Sequence, residues 1–503
     1  MTTQAEAASP TLERGALLPL ASQLAQWIGA RIQAGALAGG ARLPSVRDAA
    51  RRHGLAPSTV VAAYDQLQAQ GLVEARAQRG FFVRGGDAVA TPRIAAPARR
   101  DPPLDAAALV RSMFEHGRPQ SERAPSPGIG TLPADWLDLP LLHGALRRAM
   151  AEDTRDPQSL RYADPAGDAR LRAALSTRLA TLGIGADASQ VVTTVGATAA
   201  LDLVSNLLLA PGDSVLVDEP GWPVEFARLA QMGVKCVPVP RAADGPDRAA
   251  MRQALETLQG ADKPRAYITV SVLHNPTGGS ITLAAAHEVL KLAEAHELTI
   301  VEDDTYAWLA SPQAPRLAAL DQLQRTVYIS GFAKILAPGW RVGFLAASPA
   351  LAERAIRRKL LTSLAAPGLT ERALAITLEQ GLLRRHAERV IQRLAAARAR
   401  TTRLAQDAGF AFAAPPQGLF GWVECGVDTD RLAALLHDEG WLLAPGSLFH
   451  ARPQPSTLMR VNFAAAQEAR VWRALRDARS RLAPTARPRP PTDAGAAPMR
   501  IRA

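Results

Sequence analysis

One lysine stands in the run Ser330-Gly331-Phe332-Ala333-Lys334-Ile335-Leu336-Ala337-Pro338-Gly339-Trp340-Arg341-Val342-Gly343, with an arginine seven residues beyond it. The apolar run before it, Thr326 to Ile329, reads as a buried strand. The chain has five lysines, at positions 235, 263, 291, 334 and 359, so an amine that can lose its proton is scarce. Between a strand and a Gly/Pro turn, Lys334 has what a Schiff-base nucleophile needs, an amine on a rigid loop. Arg341 offers a fixed fork for a phosphate. Taken alone, the same residues also suit a surface lysine and a solvated arginine, and their context must decide.

Four other segments carry groups that such chemistry uses. Thr194-Val195-Gly196-Ala197-Thr198 follows a strand and opens a helix, where backbone N–H groups at Gly196, Ala197 and Thr198 can cradle a phosphate. Glu219-Pro220-Gly221-Trp222-Pro223 sets Trp222 on a loop after a strand, fit to stack on a pyridine ring or simply to be half-buried. His274-Asn275-Pro276-Thr277-Gly278 ends another strand. Asn275 can donate to a phenolate oxygen, although Asn-Pro is also an ordinary turn. Val301-Glu302-Asp303-Asp304-Thr305-Tyr306 ends the next. A carboxylate there keeps a pyridine nitrogen protonated and the ring an electron sink. Tyr306 lies three residues on, in reach of a ring hydroxyl. Adjacent acids also bind metals, but no His or third acid stands at ligand spacing and no metal is expected.

The elements that must hold these groups follow from periodicity. Val191–Thr194, Ser214–Asp218, Arg265–Val272, Thr299–Asp303 and Thr326–Ile329 read as buried strands alternating with helices. That pattern, from 128 to 482, implies an α/β domain with a mostly parallel sheet, which binds ligands at the strands' C-terminal ends. Residues 16–84 form a separate unit. Leu20, Leu24, Trp27, Ile28 and Ile32 keep helical spacing, and Gly35 to Gly40 breaks that helix. Ser45 to Asp48 is a capping-box start for a second helix ending near Gly54. Pro57 opens a third, running to about Gln70. Leu72 to Arg76 and Phe81 to Val83 are two short strands around Gln78-Arg79-Gly80. Residues 85–127, rich in Ala, Pro and Arg, read as a linker in which only Leu104 to His116 suits a helix. The tail, 483–503, is expected to be disordered.

At 503 residues the chain is too long for one ordinary domain, and 48% apolar residues can fill a large core. Cys236 and Cys425 cannot build a disulfide framework and point to a reducing compartment. No apolar run reaches membrane-spanning length, and Met1 to Pro10 lacks the pattern of a signal peptide. A net charge of +11 permits an acidic partner such as DNA without proving one.

Three helices and a two-stranded wing are the parts of a winged helix-turn-helix. Leu43-Pro44-Ser45-Val46-Arg47, Ser58-Thr59-Val60-Val61-Ala62-Ala63-Tyr64 and Gly71-Leu72-Val73-Glu74-Ala75-Arg76, in that order, resemble the GntR family of bacterial regulators. The resemblance implies that Arg47 holds a phosphate or base, and that Ser58 and Thr59 contact DNA from the recognition helix. It places Arg76, Arg79 and Gly80 among the DNA-binding residues, the last two at the wing tip. The family's usual Ser/Thr-Arg pair is here Ala56-Pro57, which removes a DNA-contacting arginine and a better N-cap. A helical dimerisation module without a DNA role is the other reading of this unit.

The large domain resembles fold-type I aminotransferases along nearly its whole length. By that resemblance Lys334 carries pyridoxal 5′-phosphate as a Schiff base, Asp303 pairs with the ring nitrogen, and Tyr306 and Asn275 bind the ring oxygen. Trp222 stacks on the ring, and Gly196, Ala197, Thr198 and Arg341 bind the phosphate. Arg460, in Leu458-Met459-Arg460-Val461-Asn462-Phe463, matches the arginine that grips a substrate carboxylate. Tyr162 matches a tyrosine that reaches the partner subunit's phosphate. The family often has Ser three residues before the lysine; this chain has Gly331, and whether Ser330 substitutes is open. Together the two halves resemble the MocR/GabR subfamily of transcriptional regulators. That implies a cytoplasmic homodimer that binds double-stranded operator DNA and senses an amino compound, or the cofactor itself, through exchange at Lys334. A working aminotransferase with a fused DNA-binding module is the alternative.

Overall fold

The computed structural model describes residues 12–15, 18–76, 78–84, 126–437 and 439–482. The linker expected at 85–127 falls almost wholly outside these residues, as do the Leu104 to His116 helix and the tail. The chain divides into two units, Met1–Asp101 and Pro102–Ala503.

In the first unit, helices α1 (Leu20–Gln33), α2 (Val46–His53) and α3 (Pro57–Ala69) precede strands β1 (Val73–Arg76) and β2 (Gly80–Val83). Ser45 caps α2 by accepting from the Asp48 N–H, and its hydroxyl donates to the Asp48 carboxylate. Gly54 ends that helix at φ +61°, a conformation that suits glycine. Proline opens α3, where the cap residue Ala56 makes no side-chain bond. The strands pair antiparallel, Val73 opposite Val83 and Arg76 opposite Gly80. Leu24, Val60, Tyr64 and Leu67 are fully buried in one core. The Tyr64 hydroxyl donates to the Pro44 carbonyl at 2.9 Å, so its polar tip is satisfied.

The second unit is built on an eight-stranded mixed sheet. Its strands are β3 (Val191–Thr194), β4 (Ser214–Glu219), β5 (Lys235–Ala242), β6 (Gly245–Pro246), β7 (Pro264–Thr269), β8 (Thr299–Asp303), β9 (Thr326–Gly331) and β10 (Gly343–Ala346). The order across the sheet is β3-β10-β9-β8-β7-β4-β5-β6. Strands β5, β4, β7, β8 and β9 run parallel, while β10 is antiparallel to both β9 and β3. Strand β3 therefore runs in the same sense as β9. Alternation along the strands serves both faces. Val215, Val217, Ile268 and Val301 face one layer of apolar side chains, and Leu216, Tyr267 and Ile300 face another.

Each strand expected from periodicity is present, with ends that shift by a few residues. Strands β5, β6 and β10 were not expected. Strand β5 carries Pro238 and Pro240 and is largely exposed, the place where a sheet tolerates proline. A second sheet, also unexpected, has four antiparallel strands: β11 (Ala411–Phe412), β12 (Phe420–Glu424), β13 (Ala444–Pro445) and β14 (Leu458–Asn462), ordered β11-β12-β14-β13. Two of these have only two residues, too few for any period to register. Among the described residues no helix is long and apolar enough to cross a membrane.

Candidate cofactor site and nucleic-acid interface

Strands of one sense end at one edge of the sheet, and loops leaving that edge carry the candidate residues. Lys334 lies just past β9 and is half-buried. Burial, then the Arg460 guanidinium, push its amine down to about 8, against the pull of Asp303. Its Nζ donates to the Gly130 carbonyl at 2.8 Å.

Asp303 ends β8 and lines a cleft with Trp222, Asp218 and His274. Burial lifts its carboxyl to about 6, while hydrogen bonds from the Thr305 backbone and hydroxyl oppose the rise. At neutral pH it is thus mostly an anion, in a cleft that favours a cation beside it. The neighbouring Asp304 turns the other way. It is fully buried, paired with Arg316, and accepts from the Tyr328 hydroxyl at 2.9 Å. Glu302 is committed too, accepting from the Leu317 and Ala318 N–H groups that open a short helix. Of three consecutive acids, Asp303 is the one that lines the cleft.

Arg460 sits in β14, in the middle of the small sheet, and is 3% exposed. Its Nη1 donates to Asn275 Oδ1 at 3.0 Å and its Nη2 to the Gly128 carbonyl at 2.6 Å. The guanidinium lies over the Phe420 and Phe449 rings, 4.4 and 5.1 Å from their centroids. Its Nε has no partner, and among the described residues no carboxylate pairs with it. Burial draws its ionisation down to about 10. A buried cation without a counter-anion is a costly arrangement that an anionic ligand would relieve. Tyr306 is buried edge-on against Phe420, and burial holds its phenol well above the ordinary range.

The phosphate cradle is a matter of close approach. Gly196 stands at φ +83° as the cap of helix α4 (Ala197–Leu208) and has no side chain to cap it. A Cβ there would collide with the Arg341 guanidinium, and one on Gly343 would collide with the Gly196–Ala197 backbone. Arg341 itself is left-handed, at φ +50°, and its Nη2 donates to the Val195 carbonyl at 3.1 Å. Ala197 and Thr198 open the helix beside it. Ser330 does not join this cradle: it is buried, and its hydroxyl donates to the Asp304 carbonyl at 2.8 Å. Tyr162 is 91% exposed and touches nothing in the cleft.

These residues fit pyridoxal 5′-phosphate. The bare helix start and Arg341 suit a dianion, Asp303 suits a protonated ring nitrogen, and Lys334 is an amine near neutrality. The structure brings together Lys334, Asp303, Trp222, Gly196, Arg341, Tyr306, Asn275 and Arg460 around one strand edge; Tyr162 stands apart. Sequence reasoning missed Gly128 and Gly130, whose carbonyls bond Arg460 and Lys334. Any residue carries a carbonyl, so no side-chain pattern marks them.

In the first unit, Arg47 is exposed in the first turn of α2, and Ser58 is exposed in the first turn of α3 with Thr59 half-buried beside it. Arg79 and Gly80 are exposed at the turn between β1 and β2, Gly80 at φ +96°. Arg76 is already engaged, donating to Glu74 at 2.8 Å and lying over the Phe82 ring. Arg42 was not singled out. It bridges to Phe82, and its Nε lies 3.6 Å from where a Cβ on Gly80 would stand, beside the wing tip. That bridge joins residues forty apart in sequence, so local spacing does not mark it.

Comparison with known proteins assigns the family. Residues 20–83 match the family described as bacterial regulatory proteins, gntR family, and residues 137–477 match aminotransferase class I and II. The HTH-type transcriptional regulator TauR of Rhodobacter capsulatus is 30% identical, covering 86% of this chain and 89% of its own. The probable rhizopine catabolism regulatory protein MocR of Rhizobium meliloti is 30% identical, covering 75% and 76%. The 2-aminoadipate transaminase of Thermus thermophilus is 29% identical over 67% of this chain and 86% of that enzyme. Among solved structures, LysN, an alpha-aminoadipate aminotransferase of Thermus thermophilus complexed with N-(5′-phosphopyridoxyl)-L-leucine, superposes with a TM-score of 0.66 at 24% identity, over 75% of this chain and 97% of that one. The kynurenine aminotransferase of Pyrococcus horikoshii gives 0.67 at 22% identity, over 75% and 95%. At these identities the two structures speak for the fold. The chain belongs to the MocR-type transcriptional regulators, with a gntR-family helix-turn-helix unit and a class I/II aminotransferase-like domain whose cofactor is pyridoxal phosphate.

Proposed function

We propose that this regulator binds its operator according to whether an amino compound, or the cofactor itself, is engaged at Lys334. The observation that carries this reading is Arg460, buried, without a carboxylate partner among the described residues, and close enough to Lys334 to lower its basicity. An effector with an amine at one end and a carboxylate at the other answers both groups. Bound cofactor supplies an aldehyde that amines attack and a ring that withdraws electrons. The chain's own residues do the rest. Arg341 and the start of α4 hold the phosphate, Asp303 holds the proton on the ring nitrogen, and Asn275 and Tyr306 hold the ring oxygen. Trp222 covers the ring, and Arg460 orients the effector's carboxylate. Arg47, Ser58, Thr59, Arg76, Arg79 and Gly80 contact the operator.

The effector shifts DNA binding only to the extent that it binds two conformations of the protein unequally. We infer a homodimer, in which Tyr162 serves the partner's phosphate. Leu160, Tyr162 and Leu361 are large apolar side chains left mostly exposed, as a subunit surface would be. A cytoplasmic setting suits a regulator that reads chromosomal DNA.

The alternative is a working aminotransferase with a DNA-binding module. The observation in its favour is that an amine near neutrality, Asp303 and the phosphate cradle are all retained. One experiment separates the two. The purified chain is titrated onto its own upstream DNA with and without pyridoxal phosphate and amino acids, and steady-state transamination is measured on the same preparation. Ligand-dependent DNA affinity with only slow half-reactions supports the regulator; turnover at ordinary enzyme rates with ligand-blind DNA binding supports the enzyme.

A further inference from the structure

Each backbone carbonyl from Pro127 to Thr131 accepts a hydrogen bond from the floor of the site. The Asn462 N–H donates to Pro127 at 2.8 Å, Arg460 Nη2 to Gly128 at 2.6 Å, and Lys334 Nζ to Gly130 at 2.8 Å. Asn462 Nδ2 takes the two remaining carbonyls, Ile129 at 3.0 Å and Thr131 at 2.8 Å. The Gly128 N–H donates to Leu442 at 2.8 Å, and a Cβ on Gly128 would collide with the Leu443–Ala444 backbone. Glycine is therefore required for this stretch to lie so close. Two of the four donor groups belong to site cations that have no carboxylate partner among the described residues, Lys334 and Arg460.

We propose that Pro127–Thr131 is an internal ligand of the cofactor site: a strap whose Gly128 and Gly130 carbonyls occupy Arg460 and Lys334 until cofactor and effector claim them. This deepens the functional reading above and rests on it for the identity of the ligands. The chemistry of displacement is specific. Were the neutral Lys334 amine to condense with the cofactor's aldehyde, water would leave with the aldehyde oxygen and both of the amine's hydrogens, and the C=N nitrogen would keep none to donate. The donor to Gly130 is then lost to the ring. An effector's carboxylate offers Arg460 a charged acceptor, roughly twice as strong as the neutral Gly128 carbonyl. The bonds to Asn462 and Leu442 stay, so the strap loosens in its middle without leaving.

Asn462 is on this account a positioning residue, since it holds the strap and touches no ligand. Hydrogen–deuterium exchange on the full-length protein reads the strap directly. With pyridoxal phosphate added, and its binding followed by absorbance, uptake across residues 126–133 should rise at least about twofold in the wild type, because the Gly128 and Ile129 amides, bonded to Leu442 and Ser126, open more often once the Gly128 and Gly130 carbonyls no longer hold the stretch down. Lys334→Ala, which lacks the amine bond from the start, should show the raised uptake without cofactor and no further rise with it. Asn462→Ala supplies a second measurement. A competing strap predicts that loosening it, by removing the two Nδ2 bonds to Ile129 and Thr131, tightens pyridoxal phosphate binding by at least about fivefold. A merely structural Asn462 predicts weaker binding. Cofactor bound with unchanged or reduced uptake at 126–133, or weakened binding in Asn462→Ala, overturns the strap. Loss of ligand control over DNA binding while the uptake change persists would instead overturn the regulator reading and leave the strap standing.

Discussion

Arg460 Nη1 donates to Asn275 Oδ1 across 3.0 Å, joining strand β14 of the small sheet to the loop that follows β7 of the large one. The side chain expected to hold a ring oxygen and the one expected to hold a carboxylate are thus one hydrogen-bonded unit. Their 185-residue separation in sequence makes this a purely tertiary contact.

Arg460→Gln should therefore act on both. It leaves Gly128 and Asn275 acceptors in a buried place, at a cost of about 1–3 kcal/mol. Removing an uncompensated buried cation offsets that cost, so Tm should change little, while amino acids should no longer alter DNA affinity. A variant that keeps full amino-acid responsiveness in a binding titration would remove Arg460 from the effector site.

Lys334 should capture cofactor in a pH-dependent way. Only the neutral amine attacks an aldehyde, and burial brings half-neutralisation to about 8. The capture rate should climb about tenfold per pH unit below 8 and level off above it. Stopped-flow absorbance from pH 6 to 10 is the check, with borohydride reduction and peptide mapping to fix the attachment point. An inflection near the ordinary lysine value of 10.5 would contradict the lowered basicity. An adduct on Lys235, Lys263, Lys291 or Lys359 would contradict the assignment.

Asp303 and Asp304 should separate cleanly. Asp303→Asn should release cofactor more readily, with no loss of apo-protein stability at pH 7, because ionising a carboxyl whose folded-state value is raised to about 6 works against the fold above that pH. Asp304→Asn breaks a buried pair with Arg316 and should destabilise by about 3–5 kcal/mol. Denaturant unfolding and cofactor dialysis, run on both variants, distinguish them. Reversed phenotypes would mean that Asp304 serves the ring.

Operator binding should weaken steeply with salt. Arg47→Ala or Arg79→Ala should each flatten the log–log salt slope by about one unit. Arg76→Ala should change it less, because Glu74 already engages that guanidinium. Ser58 and Thr59 substitutions should alter the preferred sequence more than the slope. With Ala56-Pro57 at the start of α3, single half-sites should bind poorly and paired ones tightly. Unchanged affinity and slope for Arg47→Ala across paired and single sites would sink this reading of the first unit.

Local chemistry alone determined much of this protein. Helix starts at Ser45 and Pro57, the stop at Gly54 and the turn at Gly80 follow from caps and from glycine's left-handed freedom, so α2, α3 and the wing could be drawn before any contact was known. Apolar runs at β3, β4, β7, β8 and β9 carried the parallel sheet, and a parallel sheet gathers the loops after its strands at one edge. Prediction of the gathering needed no coordinates. The small sheet did, because β11 and β13 are two residues each and owe their existence to neighbours far along the chain. The family resemblance already chose Asp303 over Glu302 and Asp304, but the physical ground for that choice is tertiary. Consecutive residues share a strand's spacing, and what sorts them is Arg316 waiting on one side and an open cleft on the other. The strap lay furthest from sequence reasoning. Its acceptors are backbone carbonyls, which every residue has, and only the folded chain decides that Gly128 and Gly130 lie against Arg460 and Lys334.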